Sequence, residues 1–215
     1  MLECVDIQCQ GSEFLMKAFL DYRKKLRQKR WDKEYGTGKW EYMQSIEELG
    51  RYSAIMGYCR YLKARSVLDV GCGDGNLATL LPGLDAYIGI DISAIALRKG
   101  QNLADINSNY CFVEADFDVY VPSSTFDLIV FNESLYYSKS PLQTLIAYQK
   151  AMSSEGFIAV SMYKNLRAAK IWDMINETFE TIDETHVQQR NAGWICRLLV
   201  PKHRACRPYH QAAYP

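Results

Sequence analysis

"SVLDVGCGDGNLATLL", Ser66 to Leu81, sets a short run of β-branched and leucine residues against three glycines, Gly71, Gly73 and Gly75. An apolar run that stops at a glycine-rich turn and resumes with helical spacing reads as a strand, a tight turn and a helix start. In an open α/β sheet such a turn lies outside the carboxyl end of its strand, where ligands bind. The spacing of the glycines then says which ligand.

A dinucleotide site wants G-x-G-x-x-G with its third glycine at position 76, but Asn76 stands there and the glycine comes one residue early. Asp69 also sits in the end of the strand, where a carboxylate repels phosphate and attracts a cation. A Walker loop is excluded because no G-K-[ST] follows the glycines. The common ligand that remains is S-adenosylmethionine, which carries an adenosine, a sulfonium, an ammonium and a carboxylate. "YIGIDIS" then places Asp91 twenty positions after Gly71, where an acceptor for ribose hydroxyls is expected. "FVEADFD" offers Asp116 to the adenine amino group and Phe117 to its ring.

Outward from this stretch, strands and helices alternate. Strands are expected at 66–70, 86–91, 110–115, 126–131 and 157–162, with helices at 93–102 (N-cap Ser93), 141–152 and 166–179. Residues 178–188 and 194–200 read as a hairpin through "RNAG". The fold class is α/β: a Rossmann-like, doubly wound, seven-stranded sheet closed by an antiparallel C-terminal hairpin. Before it, Phe14, Leu15, Ala18, Phe19, Tyr22 and Leu26 space a helix over 13–30, ending near Trp31, and 45–62 forms a second. Between them "WDKEYGTGKWEYM" reads as an aromatic loop or lid. The expected organisation is N-terminal helices and lid over 1–62, a core over 63–201 and a tail over 202–215.

"VLDVGCGDG", "GIDIS", "VEADF" and "FDLIVFNESLYY" together resemble the successive motifs of class I S-adenosylmethionine-dependent methyltransferases, in order from Ser66 to Met162. The resemblance implies S-adenosylmethionine as cofactor and S-adenosylhomocysteine as product. It implies Asp69, Gly71 and Gly73 around the methionine moiety and Asn132 near its amine. It further implies Asp91, with its neighbour Ile92, at the ribose, and Asp116 and Phe117 at the adenine.

The turn "NESLYYSKSP" follows the fourth strand and must face the transferred methyl group. Glu133 there suits proton removal or an anchor for a cationic amine, and Tyr136 and Tyr137 suit a pocket wall with cation–π character. The E-x-L-Y-Y pattern is similar to nodulation N-methyltransferases that act on an amino sugar, which tilts the acceptor toward an amine over a hydroxyl. Tyr35 and Trp40 are expected to close over the cofactor and Arg51 to meet its carboxylate, since guanidinium matches carboxylate geometry. His186 stands as a further candidate base at the end of the sixth strand.

The 215 residues carry 25 basic and 25 acidic side chains, so net charge gives no overall bias toward nucleic acid or anionic membrane. No stretch approaches the apolar length of a membrane span, and the N-terminus lacks a signal-peptide pattern. Seven cysteines with no C-x-x-C pair suit reduced thiols in a cytoplasm better than a disulfide framework or thiolate zinc site. "KHRACRPYH", with His203, Cys206 and His210, reads as a tail rather than a metal site. No metal is expected, and the oligomeric state is open. "RKKLRQKR", Arg23 to Arg30, holds six basic residues in eight and is the one feature suggesting protein or RNA docking. The turn after the fourth strand lacks the N/D-P-P-Y/F/W pattern of base-amino methyltransferases, which speaks against DNA. The reading is methyl transfer to a small-molecule acceptor; the alternatives are a protein or RNA substrate, or a non-catalytic cofactor-binding subunit.

Overall fold

A computed structural model describes residues 5–190 and 192–204, without the side chains of residues 5–17 and of Leu20. Strands β1 (Ser66–Val70), β2 (Ala86–Asp91), β3 (Tyr110–Glu114), β4 (Phe126–Asn132) and β5 (Met152–Tyr163) are parallel. β6 (Phe179–Gln189) and β7 (Ala192–Pro201) form an antiparallel hairpin, and β7 pairs antiparallel with β5. The seven-stranded order is β3-β2-β1-β4-β5-β7-β6, so the last strand lies inside the sheet and β6 forms its edge. The chain moves outward from β1 to β3 and then jumps back to β4 on the other side of β1. The turns after β1 and β4 therefore face each other across the switch point, where such sheets bind ligands.

The central strands are apolar on both faces because helices cover both. Val67 and Leu128 belong to one layer, with Ile55 and Tyr58 of α2 (Ile46–Tyr61). Leu68, Ile129 and Phe131 belong to the other, with Ile171 and Trp172 of α6 (Leu166–Thr178). All four residues from Leu128 to Phe131 are buried, the continuous burial of an interior parallel strand. Helix α3 (Asn76–Leu80) follows the glycine turn. Helix α4 (Ala94–Ile106) starts from Ser93, whose side chain accepts from the Ala96 N–H, and α5 is Pro141–Tyr148.

Expectations for the first helix and for the segment from 141 to 157 are corrected. Helix α1 (Val5–Gly36) runs past Trp31, because Arg27, Trp31 and Tyr35 are spaced by four and share the face turned to the core. Of the proposed apolar stripe, Ala18, Phe19, Tyr22 and Leu26 are exposed rather than packed, while Phe14 and Leu15 lie outside the described side chains. The helix expected over 141–152 ends at Tyr148 and gives way to a short 3-10 turn, and β5 begins already at Met152. Asn191 of the hairpin turn, and Cys206 and His210 of the tail, lie outside the described residues. Among the described residues, no helix is long and apolar enough to cross a membrane.

Candidate active site

A cavity of about 860 Å³ opens at the switch point, lined from the β1 and β4 turns, the end of α1 and the segment between α1 and α2. Its floor is the glycine turn. Gly71 and Gly73 have φ of +76° and +57°, and a Cβ on Gly73 would stand 2.6 Å from the Tyr35 hydroxyl oxygen. Only glycine allows both the backbone twist and this approach of α1. Asp91 holds the turn from the neighbouring strand, accepting from Gly73 N–H at 3.0 Å and Ser93 N–H at 2.8 Å. Burial pushes the Asp91 carboxyl up to about 6, against the lowering effect of those bonds.

Asp69 is buried beneath the turn. Tyr87 donates to its Oδ2 at 2.6 Å, whereas Oδ1 has no partner among the described residues. Burial pushes this carboxyl up to about 7. A buried acceptor left unpaired in the wall of a cavity suits a ligand bearing a cationic donor. Ile92, Asp116 and Phe117 line the cavity. Asp116 is also held from outside: Arg27 of α1 pairs with its Oδ2 and, at 3.0 Å, with Asp118. Of the basic run, Arg27 is thus turned inward, while Arg30 lies 4.9 Å over the Trp31 ring.

The turn after β4 supplies the opposite wall. Glu133 has φ +58°, a conformation that costs a non-glycine residue about 1 kcal/mol or more and persists only where its surroundings enforce it. Here its N–H is held by the Ser161 carbonyl at 3.2 Å and Oγ at 3.1 Å. The carboxylate accepts from the Tyr136 hydroxyl at 2.8 Å. Burial pushes Glu133 up to about 7, opposed by the Arg51 charge and the Tyr136 bond. Ser134 lets the two turns meet, its Oγ bonding the Val70 carbonyl, beneath Gly71.

An arc of aromatic rings joins the walls. Trp31 meets Tyr137 edge-on at 4.8 Å, Tyr137 meets Tyr136 at 4.6 Å, and Trp40 lies 5.7 Å from Trp31 and 6.1 Å from Tyr35. The structure thus gathers Tyr35, Trp40, Asn132, Glu133, Tyr136 and Tyr137 around one space.

Two candidates fall outside it. Arg51 is fully buried behind the wall, its nitrogens committed to Glu48 at 2.7 Å, Asn132 and the Tyr52 hydroxyl, so no face remains for a ligand carboxylate. His186 is exposed on β6 and bonded to Glu184 at 2.6 Å, away from the cavity. Sequence reasoning missed Arg27, Asp32, Glu48, Ser134 and Ser161. Asp32 accepts from Ser93 Oγ at 2.7 Å and so docks α1 onto α4. The spacing by four from Arg27 through Trp31 to Tyr35 is the signal that could have extended the helix and found Arg27.

This topology, with its glycine turn and acidic residues at successive strand ends, is that of the class I S-adenosylmethionine-dependent methyltransferases. The model of the methyltransferase domain family matches residues 62–198, and the chain belongs to that family. An uncharacterized methyltransferase of Mycobacterium tuberculosis is 32% identical over 111 residues, covering 51% of this chain and 56% of that one. A ubiquinone biosynthesis O-methyltransferase of Glaesserella parasuis is 28% identical over 122 residues, covering 53% and 51%. The chain therefore spans about half the length of these curated relatives. The N-methyltransferase NodS of Bradyrhizobium japonicum, solved with S-adenosyl-L-homocysteine, shares the fold with a TM-score of 0.69 at 15% identity, over 81% of this chain and 98% of that one.

Proposed function

We propose that this chain transfers a methyl group from S-adenosylmethionine to a small-molecule acceptor, with an amine favoured over a hydroxyl. The observation that carries the reading is Glu133, half-buried, strained and hydrogen-bonded to Tyr136, in the same cavity as the glycine turn. When bound, the cofactor supplies a methyl group already activated on sulfonium. The protein then has to position the acceptor, exclude water and remove a proton.

Glu133 in this reading holds the acceptor amine and takes its proton, and Tyr136 and Tyr137 wall the reacting centre. Asp91 and Ile92 receive the ribose, Asp116 and Phe117 the adenine, and Asp69 with the two glycines the methionine moiety. The described part of 1–62 serves as helices and lid over the core of 63–201, with Tyr35 and Trp40 excluding water; most of the tail expected over 202–215 lies outside the described residues. The unpaired Asp69 Oδ1 and the cavity volume support this fit to the cofactor. The NodS likeness in fold supports nitrogen as acceptor, and the O-methyltransferase relative keeps hydroxyls in the test set.

The test is calorimetric titration with S-adenosylmethionine and S-adenosylhomocysteine, with NAD and ATP as controls, followed by amine and phenol panels. Micromolar or tighter binding of the first pair alone, and methylation of amines lost in Glu133→Gln, is the expected result. Binding of NAD or ATP instead would overturn the cofactor; turnover of phenols alone would overturn the amine.

A further inference from the structure

Asn132 ends β4 and lines the cavity, and its amide has two faces of opposite chemistry. The oxygen accepts from Arg51 Nη1 and from Ser161 Oγ, the latter at 2.8 Å. A guanidinium has donors and no acceptor, so the atom turned toward Arg51 has to be the amide oxygen. The two N–H donors of Nδ2 are then left for the cavity.

Arg51 has no freedom to release this arrangement. It is fully buried, ion-paired through Nε with Glu48 at 2.7 Å, and its guanidinium carbon sits 4.2 Å over the Tyr52 ring. Both partners come from α2, outside the sheet, so the helix preceding β1 sets the polarity of a side chain at the end of β4. An amide that in isolation donates and accepts equally well is fixed as a donor.

The methionine moiety offers two groups: an ammonium, which only donates, and a carboxylate, which only accepts. A fixed donor serves the second. We propose that Asn132 binds the carboxylate of the cofactor's methionine moiety through Nδ2, and that Arg51 is a positioning residue that fixes the amide for this task. The assignment rests on the cofactor reading above and reverses the amine role that the family resemblance implies for Asn132. The ammonium is left to acceptors, among them Asp69 Oδ1, which has no partner among the described residues.

The experiment is calorimetry of S-adenosylhomocysteine and of its decarboxylated analogue on the unaltered protein, Asn132→Asp and Arg51→Met. In Asn132→Asp one oxygen still accepts from Arg51, and an acceptor replaces the donor facing the ligand. S-adenosylhomocysteine should then bind at least ~10-fold more weakly, since an acceptor now opposes a carboxylate. The decarboxylated analogue should bind as well as before or better, which also shows that the variant is folded. Arg51→Met should shrink the preference for the carboxylated ligand, and Arg51→Lys, which keeps a buried donor, should restore part of it. Equal weakening of both ligands by Asn132→Asp, or unchanged affinity for S-adenosylhomocysteine, would overturn the proposal. Binding of neither ligand to the unaltered protein would overturn the cofactor reading, and this assignment with it.

Discussion

The hydroxyl of Tyr136 donates to Oε2 of Glu133 at 2.8 Å, inside a wall where Glu133 is held in a left-handed backbone conformation. The bond stabilises the carboxylate, while burial opposes it and wins, leaving Glu133 at about 7. A base with this property is half ionised near neutrality. In the unaltered protein kcat/KM should therefore rise through pH 7 toward a plateau. Glu133→Gln should be flat across the same range and lower on the order of 10²-fold, with S-adenosylhomocysteine affinity kept. Tyr136→Phe removes a bond that favours the charged form, so the midpoint should move to higher pH. A midpoint that moves down, or a pH profile that survives Glu133→Gln, would remove Glu133 from the reaction.

Asp69 and Asp91 make the unliganded protein lose stability as pH rises from about 4 to about 7. Their carboxyls rise from an ordinary 3.8 to about 7 and about 6, each mainly through burial. For a group whose folded value is raised, the stabilising contribution is complete below the unfolded value and is lost as pH climbs through the folded one. Asp69→Asn retains an acceptor for Tyr87 and removes the buried charge. Its melting temperature should exceed that of the unaltered protein by several degrees at pH 8, and the gap should narrow as pH falls and close only below about pH 4. Thermal melts across this range check this; the same substitution should weaken cofactor binding.

Arg27 bolts α1 across the end of the cavity lined by Asp116 and Phe117, through Asp116 and Asp118. Its side chain is 29% exposed, so the pair is partly screened and should yield to salt. Arg27→Ala should raise amide exchange over residues 27–36 while leaving the sheet unchanged. It should weaken S-adenosylhomocysteine roughly 10-fold and flatten the salt dependence of that affinity. Unaltered exchange in α1 would show that Trp31, Tyr35 and Asp32 dock the helix without it.

The parts of this molecule legible in the sequence are those that obey short-range rules. The glycine turn, the strand-end acids and Ser93 as N-cap each follow from local chemistry, and each stands where the spacing places it. Arg51 misled because its partners, Glu48 and Asn132, are respectively one helical turn away and a strand apart. Nothing local tells whether a guanidinium faces a ligand or a buried carboxylate. His186 misled for a different reason: period-2 alternation says which side of β6 it takes, but not that this edge strand stands clear of the cavity. The end of α1 was hidden by Gly36 and Gly38, which read as breakers although only Gly38 takes a left-handed conformation.

The placement of β7 between β5 and β6 has a consequence for biogenesis. β5 is complete at Tyr163, yet the neighbour on its free side is built from residues 192–201, after α6 and β6 have been made. During synthesis the growing chain therefore presents an apolar strand with unpaired backbone groups, the kind of edge that invites pairing with another chain. β6 cannot relieve it, since β6 joins the sheet only through β7. Trp194, which lines the cavity and packs edge-on against Tyr163 at 5.8 Å, arrives with that last strand. Closure of the sheet and completion of the cavity's outer lip are thus a single late step, and a nascent chain stalled before residue 192 would be both sticky and unable to form that lip.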